Sequence, residues 1–267
     1  MARPWLKLLP AAILVIVAVW EVVRTVRAGD DVPGDAAWAE AAAAVRARHA
    51  PGDLIVFAPD WVDPVGRMHL GDLITLEQAG RMDAARFGTI WELSIRGARA
   101  SETRGLTTAD VISYGGVVVR RFERTPATVT AALVDRLAGA RTDGRRAAGP
   151  SVVLAEVGFT PRRCVQVTPA PDASVRVTFP AVPLGTTLVG YAGLADVFKR
   201  REITAPARLD VELDGRVAAT VTLTNASGWS RFEVATQPGP RDVTIVATAL
   251  GAGARDRQVC FAAEARP

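Results

Sequence analysis

The chain has 267 residues, of which 49% are hydrophobic, 22% charged and 6% aromatic, with 32 basic against 28 acidic residues and a formal charge of +4. This composition excludes disordered, collagen-like and coiled-coil chains, and the length allows roughly two domains, each with its own core. The basic balance does not point to nucleic acid, because arginines alternate with acids, as in Arg208, Asp210, Glu212, Asp214 and Arg216, instead of clustering beside stacking aromatics.

From the N-terminus, Leu8 to Trp20 is free of charge, and the apolar stretch Trp5–Val23 is interrupted only by Lys7 and Glu21. Its length approaches the roughly 20 residues that cross a bilayer, with Trp5 and Trp20 placed as interfacial aromatics. No small-x-small cleavage site follows, so residues 1–28 are expected to be an uncleaved signal anchor, a transmembrane helix rather than a signal peptide. Arg3 and Lys7 are nearly balanced by Arg24 and Arg27, so orientation rests on the cysteine argument below. The expected place is a bacterial inner membrane, with the N-terminus inside and residues 29–267 extracytoplasmic.

After a Gly/Pro-marked linker, Ala36–His49 reads as an Ala-rich helix with Asp35 as N-cap and Pro51-Gly52 as its stop. Asp53–Pro59 is a short apolar run, the mark of a buried strand, and Thr89–Ile95 and Gly116–Phe122 read as further strands. Thr125–Ala140, with Thr125 as cap and Pro126 in the first turn, reads as a helix presenting Val129, Leu133, Val134 and Leu137 on one face. Residues 35–149 are therefore expected to form a small α/β domain. The site-like cluster is the segment after the first strand: Asp60, Trp61 and Asp63, with His69 and Asp72 downstream. Ligands bind outside the carboxyl ends of strands in open α/β sheets, and two carboxylates, an indole and an imidazole there are candidates to hold a sugar or a hard metal ion. Turn-capping aspartates and a packed tryptophan are the structural alternative.

From Pro161 the pattern alternates with period two in Cys164–Val167, Ser174–Phe179, Arg208–Leu213, Val217–Leu223, Arg231–Val234, Asp242–Ala247 and Gln258–Ala262. Strands at this spacing predict an antiparallel β-sandwich of jelly-roll type over residues 150–267. Around Asp214-Gly215, a three-residue loop with Gly215 left-handed would pair Glu212 with Arg216 and Val211 with Val217, aligning the apolar faces. Cys164 and Cys260 fall in the first and last of these strands. A disulfide between them would tie neighbouring strands and require an oxidising compartment, which puts this domain outside the cytoplasm. No zinc site is expected, since the cysteines lie far apart in sequence without short paired spacings or histidines nearby. No metal, cofactor or nucleotide motif is expected elsewhere.

Two resemblances add to this reading. Residues 51–61 (PGDLIVFAPDW), the strand at 90–94 and Arg121–Glu123 resemble the extracytoplasmic soluble regions that accompany membrane glycosyltransferases, which implies an accessory role in envelope glycan assembly and a membrane glycosyltransferase partner. Residues 188–196 (LVGYAGLAD), the LDVELDG hairpin, Asn225–Trp229 and Phe232–Val234 resemble galactose-binding-like and carbohydrate-binding-module β-sandwiches, which implies a glycan ligand. Tyr191 and Asp196 are the ligand candidates in this region, with Trp229 read as packing in the core. Taken together, the expectation is an α+β multidomain, membrane-anchored protein with a non-catalytic glycan- or protein-binding role. Its alternative is a glycan-modifying enzyme centred on Asp60, Asp63 and His69.

Overall fold

The computed structural model describes residues 9–30, 32–195, 205–251 and 257–267. A helix, α1 (Leu9–Asp30), comes first. The span expected over Trp5–Val23 begins outside the described residues, and from Leu9 the uncharged part ends at Trp20, giving about 18 Å of helix against about 30 Å of hydrocarbon. Among the described residues no helix is long and apolar enough to cross a membrane. The apolar side chains of α1, from Ile13 to Val26, are nonetheless exposed.

The remaining chain divides into two compact units, one comprising residues up to 74 with 87–124, the other residues 75–86 with 125–267. The boundary expected at 149/150 therefore falls at 124/125, and a short inner segment joins the second unit.

In the first unit, β1 (Leu54–Ala58) runs parallel to β2 (Thr89–Ser94), β4 (Val117–Glu123) lies antiparallel to β2, and β3 (Thr108–Tyr114) forms a hairpin with β4. β3 was not expected; its turn is Gly115-Gly116, both at positive φ, where glycine carries no Cβ penalty. The Ala-rich helix is α2 (Asp35–Arg46), capped by Gly34, so Asp35 occupies its first turn instead of the cap. Trp38, Ala41, Ala42 and Val45 recur at helical spacing and pack on Ile55, Phe57, Trp91, Leu93, Val117 and Val119 of the sheet. Between β1 and β2 the chain forms α3 (Asp63–Leu70), preceded by a 3-10 turn at Asp60–Val62.

The second unit is a sandwich of two sheets. One has the order β13-β10-β15-β8-β7, with β5 added to β15; the other is β12-β11-β14-β9-β6. Their ranges are β5 (Ala131–Ala132), β6 (Arg141–Gly144), β7 (Arg146–Val157), β8 (Thr160–Pro169), β9 (Ser174–Leu184), β10 (Thr187–Leu194), β11 (Ala207–Leu213), β12 (Arg216–Leu223), β13 (Ser230–Ala235), β14 (Gly239–Ala249) and β15 (Val259–Arg266). The inward residues of alternating strands, among them Val165, Val177, Leu188, Leu209, Phe232 and Ile245, make one core, in which Phe179 and Phe261 meet edge to face at 6.4 Å. Segment 75–86 opens with α4 (Leu76–Ala79), held by a capping box between Thr75 and Gln78. Arg266 clamps Asp83 with two 2.9 Å bonds and Arg86 lies 2.7 Å from Glu264, fixing the segment to β15.

Three local expectations are corrected. Thr125–Ala140 is not a helix: β5 pairs with β15, and only Leu133–Gly139 coils, as a 3-10 helix. Thr128, Val129 and Thr130 are consecutive β-branched residues, which disfavour helix, and the Thr130 N–H donates to the Ala265 carbonyl at 2.9 Å. The Asp214-Gly215 loop has two residues, with positive φ at both. Leu213 pairs with Arg216, and register is restored by a bulge that brings Val211 opposite Ala219. The turn is set by β14, because Asp214 accepts from the Asp242 N–H at 3.2 Å and from Arg241 at 2.7 Å. Last, Cys164 and Cys260 lie in paired strands as expected but are free, buried thiols. Cys260 stands opposite Gln166, so Cys164 is its diagonal neighbour. The hydrogen bond with Cys164, and then burial, push the Cys260 thiol well up.

Candidate functional site

The cluster after β1 does not converge. Asp60 is exposed and Trp61 is 61% exposed with the Arg96 guanidinium 5.8 Å from its ring centroid. Asp63 pairs with Arg67 one helical turn on, at 2.5 Å. His69 stacks on Trp38 and lies 3.2 Å from Asp35, pinning α3 to the start of α2. Asp72 takes two 2.6 Å bonds from Arg46, whose hydrogen bonding holds its carboxyl below the usual range. Asp63 and Asp72 are thus committed to arginines, and among the described residues no group of three or more ligating side chains is placed to hold a metal ion.

Tyr191 and Trp229 sit on the outer face of β10 and at the start of β13, where the β7–β8 hairpin curls over them. Arg162 of that hairpin lies 3.9 Å from the Tyr191 ring centroid and 5.3 Å from that of Trp229, whose indole N–H donates to the Thr160 carbonyl at 2.8 Å. Burial lowers the Arg162 pKa, opposed by Tyr191 and Asp83. The two rings therefore hold a cation of the protein itself, and the packing expectation for Trp229 extends to Tyr191. Asp196 lies outside the described residues.

The alternation that builds the core also builds a polar face on the other side of the five-stranded sheet. Strand register puts Ser174, Thr248, Arg208 and Thr222 in one rung, Arg176, Val246, Asp210 and Thr220 in the next, and Thr178, Thr244, Glu212 and Val217 in a third. Asp210 accepts from Thr220 at 2.7 Å and Arg208 at 2.9 Å. Both Glu212 oxygens accept from Arg176, one of them at 3.1 Å. Ser174 bonds Thr248 at 2.8 Å, and Thr178 bonds Thr244 at 3.0 Å. The rungs carry no aromatic side chain. They offer hydroxyls, carboxylates and guanidiniums at strand spacing, so a ligand here would be recognised by hydrogen bonds that exchange donors and acceptors with this lattice. These residues were present in the SVRVTF, RLDVEL and DVTIVATA patterns; registering the strands against each other would have assembled them.

The first unit contains a second feature, a crevice of about 180 Å³ lined by Ala44, Ala47, Ile112, Tyr114 and Val119, with Trp91 at its base. Arg48, at its rim, pairs with Asp110 and holds that carboxyl below its usual range.

No protein-family model matches the chain, and no curated protein matches its sequence. Among solved structures it is similar to CBM51-2 with the INT domains of ZmpB from Clostridium perfringens, in complex with GlcNAc. The identity is 12% and the TM-score 0.37, over 58% of this chain and 36% of that one. It is also similar to CBM51 of the Clostridium perfringens GH95 protein, in complex with methyl-galactose, at 13% identity and TM-score 0.34 over 50% and 98%. A third is the C-terminal CBM6 of LamC from Zobellia galactanivorans, at 12% identity and TM-score 0.28 over 46% and 99%. This chain spans about a third of the length of the first.

Proposed function

We propose that this protein is a non-catalytic, carbohydrate-binding protein attached to a bacterial inner membrane through the Trp5–Val23 segment. The observation that carries the binding reading is the three-rung polar face of the five-stranded sheet. Asp210 and Glu212 are each 8% exposed and already bonded to arginine and threonine partners, so the lattice is preorganised for a polyol. The membrane part is supported by the uncharged run and its flanking tryptophans. An accessory role in envelope glycan assembly, alongside a membrane glycosyltransferase, is the biological setting this reading proposes. A glycan-modifying site at Asp60, Asp63 and His69 has no converging geometry in its favour.

The test is an array of bacterial envelope glycans probed with the full-length protein in detergent, followed by titration of any glycan retained. The expected result is saturable binding that Glu212→Ala weakens at least tenfold and Asp60→Ala leaves unchanged. No glycan bound, or binding indifferent to Glu212, overturns the proposal.

A further inference from the structure

Helix α3 has two faces of unlike history. Val62, Gly66 and Leu70 recur at four-residue spacing and are buried, and a Cβ on Gly66 would stand 2.0 Å from the Phe57 ring, so that face is closed against β1. On the other side Trp61, Val65 and Met68 fall at i, i+4 and i+7 and are 61%, 38% and 81% exposed. Pro64 between them is exposed as well. A surface helix ordinarily turns its apolar stripe to the core; α3 also turns one to the outside. The Arg96 guanidinium lies beside the Trp61 ring, and Arg67 on α3 is paired with Asp63.

The chain path says what lies opposite it. His69, next to Met68, is 3.2 Å from Asp35 and stacked on Trp38, so the end of α3 and the start of α2 are side by side. Pro33, two residues earlier, touches the Gly115-Gly116 turn. The apolar helix α1 ends at Asp30, three residues before Pro33, a reach of at most about 11 Å. Any surface that holds α1 is thereby tethered close to Met68.

We infer that the Trp61–Val65–Met68 face of α3 seats in the headgroup layer of a lipid bilayer, the same bilayer that holds the Trp5–Val23 segment. This inference rests on the membrane attachment proposed above. Indole rings and guanidiniums are the side chains that favour this layer, the ring supplying an apolar body with a polar edge and the guanidinium meeting phosphate.

The test places single cysteines in the full-length protein, labels them with an NBD fluorophore, and reconstitutes it into 3:1 phosphatidylcholine–phosphatidylglycerol vesicles containing headgroup-proximal spin-labelled lipid. Met68→Cys reports α3 and Ala18→Cys reports α1, each read against the same protein in vesicles without spin-labelled lipid; unsubstituted protein shows that the buried Cys164 and Cys260 take no label. The expected result is at least twofold quenching at positions 68 and 18 relative to vesicles without spin label. Quenching at 18 but not at 68 overturns the seating of α3 while membrane attachment stands. Quenching at neither removes the attachment and this inference with it. A Met68 probe shielded in detergent, in a protein that sediments as a dimer, assigns the stripe to a second copy and also overturns it.

Discussion

Glu92 offers the sharpest test of how the first unit is held together. It sits in the middle of β2 with 0% exposure, and its carboxylate accepts from the Ala100 N–H at 2.9 Å, the Thr103 hydroxyl, Arg120 at 2.9 Å and Arg99 at 3.1 Å. Arg99 is 39% exposed and can turn to water when its partner is removed, whereas Arg120 is 16% exposed and keeps only Ser94, at 2.6 Å. Glu92→Ala therefore strands one nearly buried guanidinium and the Ala100 N–H, while the Thr103 hydroxyl keeps the Ala100 carbonyl at 3.1 Å, and breaking a buried pair in this way costs about 3–5 kcal/mol. At about 1.4 kcal/mol per decade, a loss near 4 kcal/mol is about a thousandfold rise in the opening equilibrium of the β2 and β4 amides. Hydrogen exchange read by mass spectrometry on the full chain measures it strand by strand, with the amides of the β-sandwich as an internal reference. Replacing Glu92 with Leu together with Arg120→Met removes both charges and should recover most of the loss. A rise below about tenfold for Glu92→Ala would refute the argument, since that is the range of a solvated surface pair.

Three further outcomes are expected. The folded Cys260 thiol has a raised pKa and keeps its proton where the unfolded thiol, near pH 8.5, loses it; stability is then full below that pH and falls as pH rises above it, and Cys260→Ala should flatten the alkaline limb of a pH–melting series. Phe159 occupies the β7–β8 turn at φ 65° and is 91% exposed, so Phe159→Asn should be neutral or stabilising by up to about 1 kcal/mol in a thermal melt; a clear loss would show that the ring is held by contacts the exposure denies. Arg162→Ala empties the space between Tyr191 and Trp229 and should cost about 1–3 kcal/mol, seen as loss of near-ultraviolet circular dichroism together with a lower melting temperature; an unchanged spectrum would mean the rings are not packed on the guanidinium.

What could be read in the sequence followed from periodicity. The strands β1, β2, β4, β8, β9, β11 to β15 and the Ala-rich α2 each carry a local signal, apolar alternation, a closed apolar run or helical spacing with a Pro-Gly stop. β6 and β7 do not, because Arg141–Pro150 is a stretch rich in Arg, Ala and Gly that reads as a polar linker and becomes strand only by pairing with β9 and β8. The Asp214-Gly215 turn shows the same limit. Local pairing energies favoured the three-residue loop, and the deciding bonds come from Arg241 and Asp242, 27 and 28 residues away. For the candidate site, residue type was legible and convergence was not. Asp63, His69 and Asp72 are close in sequence, yet Asp63 turns to Arg67 and the His69 ring to Asp35, while Arg46 ties the His69 carbonyl to Asp72, so no two of these side chains face a common ligand space. Glu92, a lone acid within an apolar strand, was a visible anomaly whose meaning depended on Arg99, Thr103 and Arg120.

The misplaced boundary has the same origin and carries a structural consequence. A parallel β1–β2 pair requires a crossover connection, and a reader of the sequence assigns the whole crossover to the domain that contains the strands. Here residues 75–86 leave that domain: Gln78, Met82 and Ala84 are buried, Met82 belongs to the sandwich core, the Gly80 carbonyl accepts from the Arg163 N–H at 2.7 Å, and Asp83 and Arg86 are paired with Arg266 and Glu264. The chain therefore passes between the two units at 74/75, 86/87 and 124/125. Cutting at 124/125 would not free two independent domains. It would leave the first fragment carrying Met82 and Gln78 stripped of their burial and Asp83 without its arginine, while the second would lose the cover over Glu264 and Arg266. This twelve-residue segment takes its burial and its ion pairs from the second unit, so the β1–β2 crossover depends for its conformation on a sandwich formed mostly from the last half of the chain.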